Sequence, residues 1–255
     1  MEKLIFSVDD HKKIFFASDF HLGTPDHHSS KEREKAIVAW LDSIANEAAA
    51  IFLLGDVFDF WFEYRHVVPK GHVRLLGKLA SLTDQGIPIY IFSGNHDMWM
   101  FGYLHDEAGI KIHHKPATIE AFGFKLYVGH GDGLGPGDRS FKFLKKIFRN
   151  RMAQWFFARV HPNLSFGIAK AWSSRSRISN KSFDEHFMGE EEWLYQYCRQ
   201  IEENEHFDFY IFGHRHLPIN MKIGEKSTYI NLGEWINHRK YAVLDSKGLE
   251  LLQFG

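Results

Sequence analysis

The first half of the chain alternates short apolar runs with stretches of helical periodicity. Apolar runs at 14–17, 51–54 and 88–92 predict buried strands. Between them, 30–47 and 71–83 place apolar residues three and four positions apart, which predicts helices. Strand–helix–strand alternation predicts parallel βαβ units with right-handed crossovers, and therefore an α/β fold.

The second half is richer in strands. Runs at 117–121 and 124–128 flank Phe122-Gly123, which predicts a hairpin with a tight turn. Further strands are predicted at 207–212, 227–232, 241–244 and 249–254. Because no linker-like segment interrupts the chain, we predict one domain, 1–255, with a helical cap inserted at about 135–205.

The predicted cap is basic and aromatic. No acidic residue occurs between Arg139 and Phe183, and apolar residues recur from 141 to 160 at helical steps, which predicts a basic amphipathic helix. Two interpretations stay open: a solvated basic face over an ordinary core, or a pocket for an anionic amphiphile beside an anionic membrane. Lysine or arginine stands at positions 139, 142, 145, 146, 149, 151, 159, 170, 175, 177 and 181.

Composition narrows the class of protein. The chain has 255 residues, 44% of them hydrophobic, which is enough for one sizeable core, and its net charge of −1 excludes a globally basic nucleic-acid binder. The single cysteine, Cys198, rules out an intramolecular disulfide and favours a reducing compartment. The charged residues within 1–13 argue against a signal peptide, and no apolar window reaches the roughly 18 residues of a membrane-spanning helix.

Five short motifs lie at or just after the ends of predicted strands, where open α/β sheets bind ligands. Each offers a carboxylate, an imidazole or an amide oxygen of the kind that binds metal ions. They are Asp19-Phe20-His21, Gly55-Asp56-Val57-Phe58-Asp59, Gly94-Asn95-His96-Asp97, Gly129-His130-Gly131-Asp132 and Gly213-His214-Arg215-His216.

These residue types suit two adjacent divalent ions. A carboxylate can bridge two ions with its two oxygens, and we predict that Asp56 is this bridge. Asp19, His21 and His216 complete one predicted site, and Asn95, His130 and His214 complete the other. The mixed nitrogen and oxygen donors favour Mn²⁺, with Fe, Co or Zn as alternatives, over Mg²⁺ or Ca²⁺.

The ordered motifs from Asp19 to His216 resemble those of the calcineurin-like metallophosphoesterase family. The resemblance implies a four-layer α/β/β/α sandwich and hydrolysis of a phosphoester by two ions that hold the phosphoryl group. It also implies that His96 donates a hydrogen bond or proton to the phosphoryl or leaving oxygen. We further predict that Asp97 orients His96, and that Asp59 and Asp132 support the site without binding metal.

A narrower resemblance concerns the substrate. The Gly-Asp-Val-Phe-Asp-Phe-Trp run, the cap and the Gly-Glu-Trp segment at 233–235 are similar to the UDP-2,3-diacylglucosamine pyrophosphatases of lipid A synthesis. The resemblance implies release of UMP and 2,3-diacylglucosamine 1-phosphate from a nucleotide-linked glycolipid. The best-known members of that group have Arg where this chain has His96. The predicted substrate contacts are Asn95, Asp138, Asn180, Lys181 and His214.

Several alternatives remain at this stage. The substrate could instead be a soluble phosphodiester or phosphomonoester, which would not need the aromatic residues of the cap. A non-catalytic scaffold of the same fold is disfavoured because all seven predicted ligands are present. No nucleic-acid partner is expected, and the oligomeric state stays open. The lipid substrate predicts a cytoplasmic enzyme, peripheral on the cytoplasmic face of the inner membrane.

Overall fold

The computed structural model describes residues 2–137 and 139–255, with the side chains of 139–141, 174 and 176–185 left out. The helices in this part are α1 (His27–Ile44), α2 (Val73–Asp84), α3 (Tyr103–Ala108), α4 (Arg139–Phe148), α5 (Arg151–Phe157), α6 (Pro162–Glu185) and α7 (Trp193–Glu202). The strands are β1 (Glu2–Ile5), β2 (Lys13–Ala17), β3 (Ala48–Leu53), β4 (Ile89–Phe92), β5 (Lys111–His113), β6 (Ala117–Ala121), β7 (Phe124–Val128), β8 (Phe209–Phe212), β9 (Pro218–Ile223), β10 (Ser227–Leu232), β11 (Lys240–Asp245) and β12 (Gly248–Gln253).

The described strands form two six-stranded sheets. One has the order β12-β11-β2-β3-β4-β5, in which β2 to β5 run parallel, as the βαβ pattern predicted. The other has the order β1-β6-β7-β8-β10-β9, with β7, β8 and β10 parallel to one another. The chain crosses between the sheets three times, after β1, after β5 and after β10.

Three apolar clusters define four layers. Residues of α1 and α2 such as Trp40 and Leu79 pack on one face of the first sheet, and its other face packs against the second sheet through residues such as Phe52 and Ile211. The outer face of the second sheet is covered by α7, with Cys198 in the contact. The predicted α/β/β/α sandwich is therefore confirmed.

Local pattern identifies the hairpin and the interior strands. The predicted β6–β7 hairpin forms with Ala121 opposite Phe124, and both turn residues, Phe122 and Gly123, have positive φ, as a two-residue hairpin turn requires. Pattern analysis missed β1, β5 and β9. These three strands lie at sheet edges, where one side of the strand lacks a neighbour and no continuous apolar run is needed.

The single amphipathic helix expected from 141 to 160 is wrong. The segment forms two helices, α4 and α5, instead of one. The Asn150 side chain accepts hydrogen bonds from the amides of Met152 and Ala153 and so caps the start of α5. Phe148 and Phe157, one from each helix, pack with Phe62 and Trp99 in a small cluster that holds the two helices on the sandwich.

Candidate metal centre

All five motifs lie beyond the carboxyl ends of parallel strands. Asp19 follows β2, Asp56 follows β3 and Asn95 follows β4 in the first sheet. In the second sheet, His130 follows β7 and His214 follows β8. The sandwich therefore brings residues that are up to 195 positions apart in the sequence into contact at one edge of the two sheets.

The loops that hold these residues have an unusual backbone. All seven predicted ligands lie in the described part of the chain, and five have positive φ: Asp19 (55°), His21 (45°), Asp56 (51°), His214 (68°) and His216 (57°). Such values are uncommon outside glycine and cost free energy, so they persist only where the surroundings impose them. Their concentration here indicates a functional site.

Two glycines let the carboxylates come close to the neighbouring backbone. A Cβ on Gly94 would collide with the Asp56 carboxylate, and one on Gly213 would collide with the Asp19 carboxylate. The space that these glycines leave is occupied by the predicted ligands themselves.

The first group of donors comprises Asp19, His21, Asp56 and His216, whose ligand atoms all lie within 4.8 Å of one another. His21 Nε2 is 2.9 Å from His216 Nε2 and 3.7 Å from Asp19 Oδ1. Two imidazole nitrogens thus face each other, with carboxylate oxygens beside them. This arrangement is typical of ligands that converge on one cation.

A second group comprises Asp56, His130 and His214. His130 Nε2 lies 3.3 Å from Asp56 Oδ2 and 3.1 Å from Asn95 Oδ1. Asp56 thus belongs to both groups. Its Oδ2 is buried, has no hydrogen-bond partner in the described part of the chain, and lies 3.9 Å from His21 Nε2 as well. The donor set therefore fits two metal ions, with the shared oxygen placed where a bridge would lie.

Neighbouring groups orient the predicted ligands. His130 Nδ1 donates to the carbonyl of Leu54 at 2.8 Å, which leaves Nε2 as the atom that faces Asp56. The buried Arg33 donates to the carbonyls of Phe20 (2.7 Å) and His21 (2.6 Å). These bonds fix the loop of the first motif in its left-handed conformation.

The charges in the second group compensate one another. Burial alone would raise the pKa of Asp56, but His130 and His96 hold that pKa well below its usual range. Burial opposes the charge on His130, yet the Asp56 carboxylate raises the pKa of His130 to about 10. Burial and His130 lower the pKa of His214 to about 4. Metal binding needs neutral imidazoles, so a divalent cation would replace the proton on His130.

The role predicted for Asp97 requires a correction. The Asp97 carboxylate accepts hydrogen bonds from the amides of Gly94 and Val57, both at 2.8 Å, and so ties two metal-site loops together. Burial and the charge on Asp56 raise the pKa of Asp97 to about 7. The prediction that Asp97 orients His96 is wrong, because these bonds turn its carboxylate toward the backbone of the loops.

Asp59 takes the place that was predicted for Asp97. His96 Nδ1 lies 3.0 Å from the Asp59 carbonyl and 3.6 Å from its Oδ1. Ser173 of α6 donates to the same Oδ1 at 3.0 Å. The ring is thereby held with Nδ1 toward Asp59. His96 also borders a large cavity.

Lysines of α4 fasten that helix to the site. Lys145 donates to the carbonyl of Asp132 at 2.8 Å and pairs with its carboxylate, and Lys142 donates to the carbonyl of Gly135. These two lysines are therefore directed at the protein, whereas Lys146, Arg151 and Lys170 of the same basic segment are exposed. Three predicted substrate contacts, Asp138, Asn180 and Lys181, lie outside the residues or side chains that the structure describes.

A cavity connects the predicted metal centre with α4, α5 and α6, the helices of the predicted cap that line it. It encloses about 980 Å³ and is bordered by Asn95, His96, His214 and His216. Its remaining wall is largely apolar and comes mainly from α4, α5 and α6, with Phe143, Leu144, Ile147, Phe148, Phe157, Ile168 and Trp172 among the lining residues. A polar centre thus opens into an apolar chamber that is large enough for a lipid-sized ligand.

The sequence profile of the calcineurin-like phosphoesterases matches residues 12–218. The chain belongs to the calcineurin-like phosphoesterase family. A UDP-2,3-diacylglucosamine hydrolase from Porphyromonas gingivalis (strain ATCC BAA-308 / W83) is 39% identical, over 94% of this chain and 96% of that protein. One from Vibrio parahaemolyticus serotype O3:K6 (strain RIMD 2210633) is 28% identical, over 92% and 96%. The family that the motifs predicted is confirmed, and with it a dependence on divalent metal ions.

Pattern analysis overlooked residues that act from a distance in sequence. Arg33 stands within α1 and Ser173 within α6. Neither belongs to a motif. The sequence offered one signal of a supporting residue. Arg215 lies between two predicted ligands, which places a cation beside the metal site.

Proposed function

We propose that this enzyme hydrolyses UDP-2,3-diacylglucosamine at its pyrophosphate and releases UMP and 2,3-diacylglucosamine 1-phosphate. The observation that carries the proposal is the continuity between the carboxylate–histidine centre and the apolar cavity of the cap. A diphosphate at the centre would leave acyl chains within reach of the apolar wall. The relatives that bear this activity in their names cover nearly the whole chain.

Seven residues would hold the metal ions in this proposal. Asp19, His21, Asp56 and His216 would bind one ion, and Asp56, Asn95, His130 and His214 the other, with Mn²⁺ as the favoured metal. When bound, the ions supply positive charge against the diphosphate and acidify water. Asn95 and His214 border the cavity as well, so we assign them contacts with the substrate.

The chain's own residues complete the reaction. His96 would donate a proton or hydrogen bond to the leaving phosphate from Nε2, since Nδ1 is directed at Asp59. Asp59 keeps the ring in this orientation, and Ser173 fixes the Asp59 carboxylate. Asp97 holds the loops of Asp56 and Gly94 together and so preserves the spacing of the two halves. The apolar wall excludes water from the lipid end of the substrate.

The decisive test is product release. Purified protein with UDP-2,3-diacylglucosamine and Mn²⁺ should release UMP, and excess EDTA should stop the release. A protein that leaves this substrate intact but cleaves bis-p-nitrophenyl phosphate would retain the metal centre and lose the lipid assignment. That outcome would favour a soluble phosphoester as substrate.

We propose that the chain is a single domain in which residues 135–205 form a cap over the metal centre. We also propose that the outer face of this cap rests on the cytoplasmic surface of the inner membrane. Trp155 and Phe156 of α5 are 53% and 61% exposed, and neither lines the cavity, unlike Phe157. Arg159 stacks on Trp155, 3.4 Å from the ring centroid. Aromatic and cationic side chains together suit an anionic lipid surface. Of the helices that the structure describes, none combines the length and apolarity of a membrane span.

Vesicle binding tests this surface. Trp155→Ser/Phe156→Ser should bind vesicles of phosphatidylglycerol and phosphatidylcholine about tenfold more weakly in a sedimentation assay, because two aromatic side chains no longer enter the lipid. Val73→Ser is the matched control, since Val73 is 73% exposed but lies on α2, away from the cap. Equal binding by the double variant and the control would exclude this face.

A further inference from the structure

An ion pair beside the metal centre has no part in the mechanism described above. Arg215 Nε donates to Glu192 Oε2 at 2.9 Å, and its Nη2 lies 3.2 Å from Glu192 Oε1. Nη2 also donates to the carbonyl of His186. Glu192 Oε1 in turn accepts from the amide of Met188 at 3.1 Å. The pair thus holds segment 186–192, which connects α6 to α7, through hydrogen bonds to its backbone.

The same pair is anchored in the metal-site loop. Arg215 lies between His214 and His216, both of which have positive φ. The amide of His214 donates to Asp19 Oδ2 at 3.0 Å, so this short loop connects both halves of the predicted centre. Any displacement of the Arg215 backbone would move two imidazoles at once.

Because the pair is buried, we expect its net contribution to stability to be small. Arg215 is 4% exposed and Glu192 1%, and both border the cavity. Removing two charges from water costs much of what their attraction returns, so apolar replacements of a buried pair are often neutral for stability. Two-pronged contact with a guanidinium does, however, fix the direction of both side chains.

We propose that Arg215 and Glu192 are positioning residues, which hold the His214–His216 loop in its metal-binding geometry and couple it to the segment that returns from the cap. The proposal rests on the ligand assignment of the proposed function. It predicts that metal affinity depends on the pair although neither residue is a ligand, in the way that groups which orient metal ligands control affinity elsewhere.

Calorimetric titration of Mn²⁺ into the metal-free, full-length protein tests this role. Arg215→Met/Glu192→Leu should fold with a melting temperature near that of the wild type but bind Mn²⁺ about 10–100-fold more weakly. Arg215→Lys keeps the charge without the planar fork and should also bind more weakly. Glu202→Gln is the control, because Glu202 is a hydrogen-bonded carboxylate at the opposite end of α7 and should leave Mn²⁺ affinity unchanged.

Each outcome decides the matter. Wild-type Mn²⁺ affinity in the folded double variant would overturn the proposal. If the double variant does not fold, wild-type affinity in Arg215→Lys would show that the pair serves the fold alone, and weakened affinity there would support positioning. Failure of the wild-type protein itself to bind Mn²⁺ would instead refute the ligand assignment of the proposed function.

Discussion

The loops at the strand ends and the helices of the cap are built in opposite ways. In the loops, polar side chains are buried and held by hydrogen bonds, as Arg33 and Asp97 hold the backbone beside His21 and Asp56. In the cap, large apolar side chains such as Phe143 and Trp172 remain substantially exposed although they line a cavity. The loops bury polar ligand atoms that are placed to bind metal, whereas the cap leaves apolar surface for a ligand or partner to cover.

This difference separates two tasks. Fixed donors in a buried setting provide a metal centre whose geometry does not depend on the substrate. Uncovered apolar surface around a cavity provides binding energy for an apolar ligand, and such surface is unusual on a protein without a partner or ligand for it. We therefore attribute the chemistry to the loops and the choice of substrate to the cap.

Removal of the shared carboxylate should have the largest effect on the chemistry of the loops. Asp56→Asn should abolish turnover of both the lipid substrate and bis-p-nitrophenyl phosphate, because Asp56 belongs to both donor groups. Asp42→Asn, which alters an exposed carboxylate paired with Lys78, should retain wild-type rates. Steady-state rates of the two variants with both substrates check this. Substantial activity in Asp56→Asn would exclude a bridging role.

Removal of His96 should act on one step only. His96→Ala should slow UMP release by about 10²–10⁴-fold, the usual contribution of a general acid. Bis-p-nitrophenyl phosphate should suffer less, because p-nitrophenolate leaves without needing a proton. The exposed His105 serves as a control through His105→Ala. An equal loss on both substrates would point to a role in binding rather than in proton transfer.

The metal site was far more predictable than its supports. Short motifs revealed Asp19, Asp56 and His130 because strand ends and turn residues are local features of the sequence. No local feature of the sequence indicates that Asp59 contacts His96, because this contact depends on how the loops after β3 and β4 meet in the fold. The break at Asn150 was missed because apolar spacing continues across it, although the capping side chain was visible in the sequence.

The cavity could not have been predicted in shape. Basic and aromatic residues indicated an amphipathic segment, but the pattern was compatible both with a solvated basic face and with a pocket for an anionic amphiphile. The structure turns Lys142 and Lys145 toward the metal-site loops and Ile147 toward the cavity. That orientation depends on contacts between α4 and the Gly135 and Asp132 backbone, which no periodicity encodes.

The smallest predicted effect lies far from both regions and concerns acid stability. Burial raises the pKa of Glu202, but hydrogen bonds from His206, Tyr210 and Ser227 outweigh it and lower the pKa to about 2, from 4.5. A lowered carboxylate pKa stabilises the fold above pH 4.5, and the contribution is lost as the pH falls toward 2. His206 does not interfere, because its raised pKa keeps it protonated throughout this range.

Urea unfolding at pH 6 and pH 3 measures this contribution. The wild-type protein should lose more stability between the two pH values than Glu202→Gln does, since the amide cannot titrate. Mn²⁺-dependent turnover at pH 7 should be the same in both proteins. An equal acid sensitivity of the two would show that these hydrogen bonds do not stabilise the ionised carboxylate.

The division of tasks between loops and cap is tested most directly by one ratio, kcat/KM for UDP-2,3-diacylglucosamine divided by kcat/KM for bis-p-nitrophenyl phosphate. Ile168→Ser/Trp172→Ser removes two cavity-lining side chains that lie one turn apart on α6. Loss of two apolar contacts should lower the ratio at least about tenfold, through a higher KM for the lipid. An unchanged ratio, whether both rates fall together or neither falls, would contradict the account.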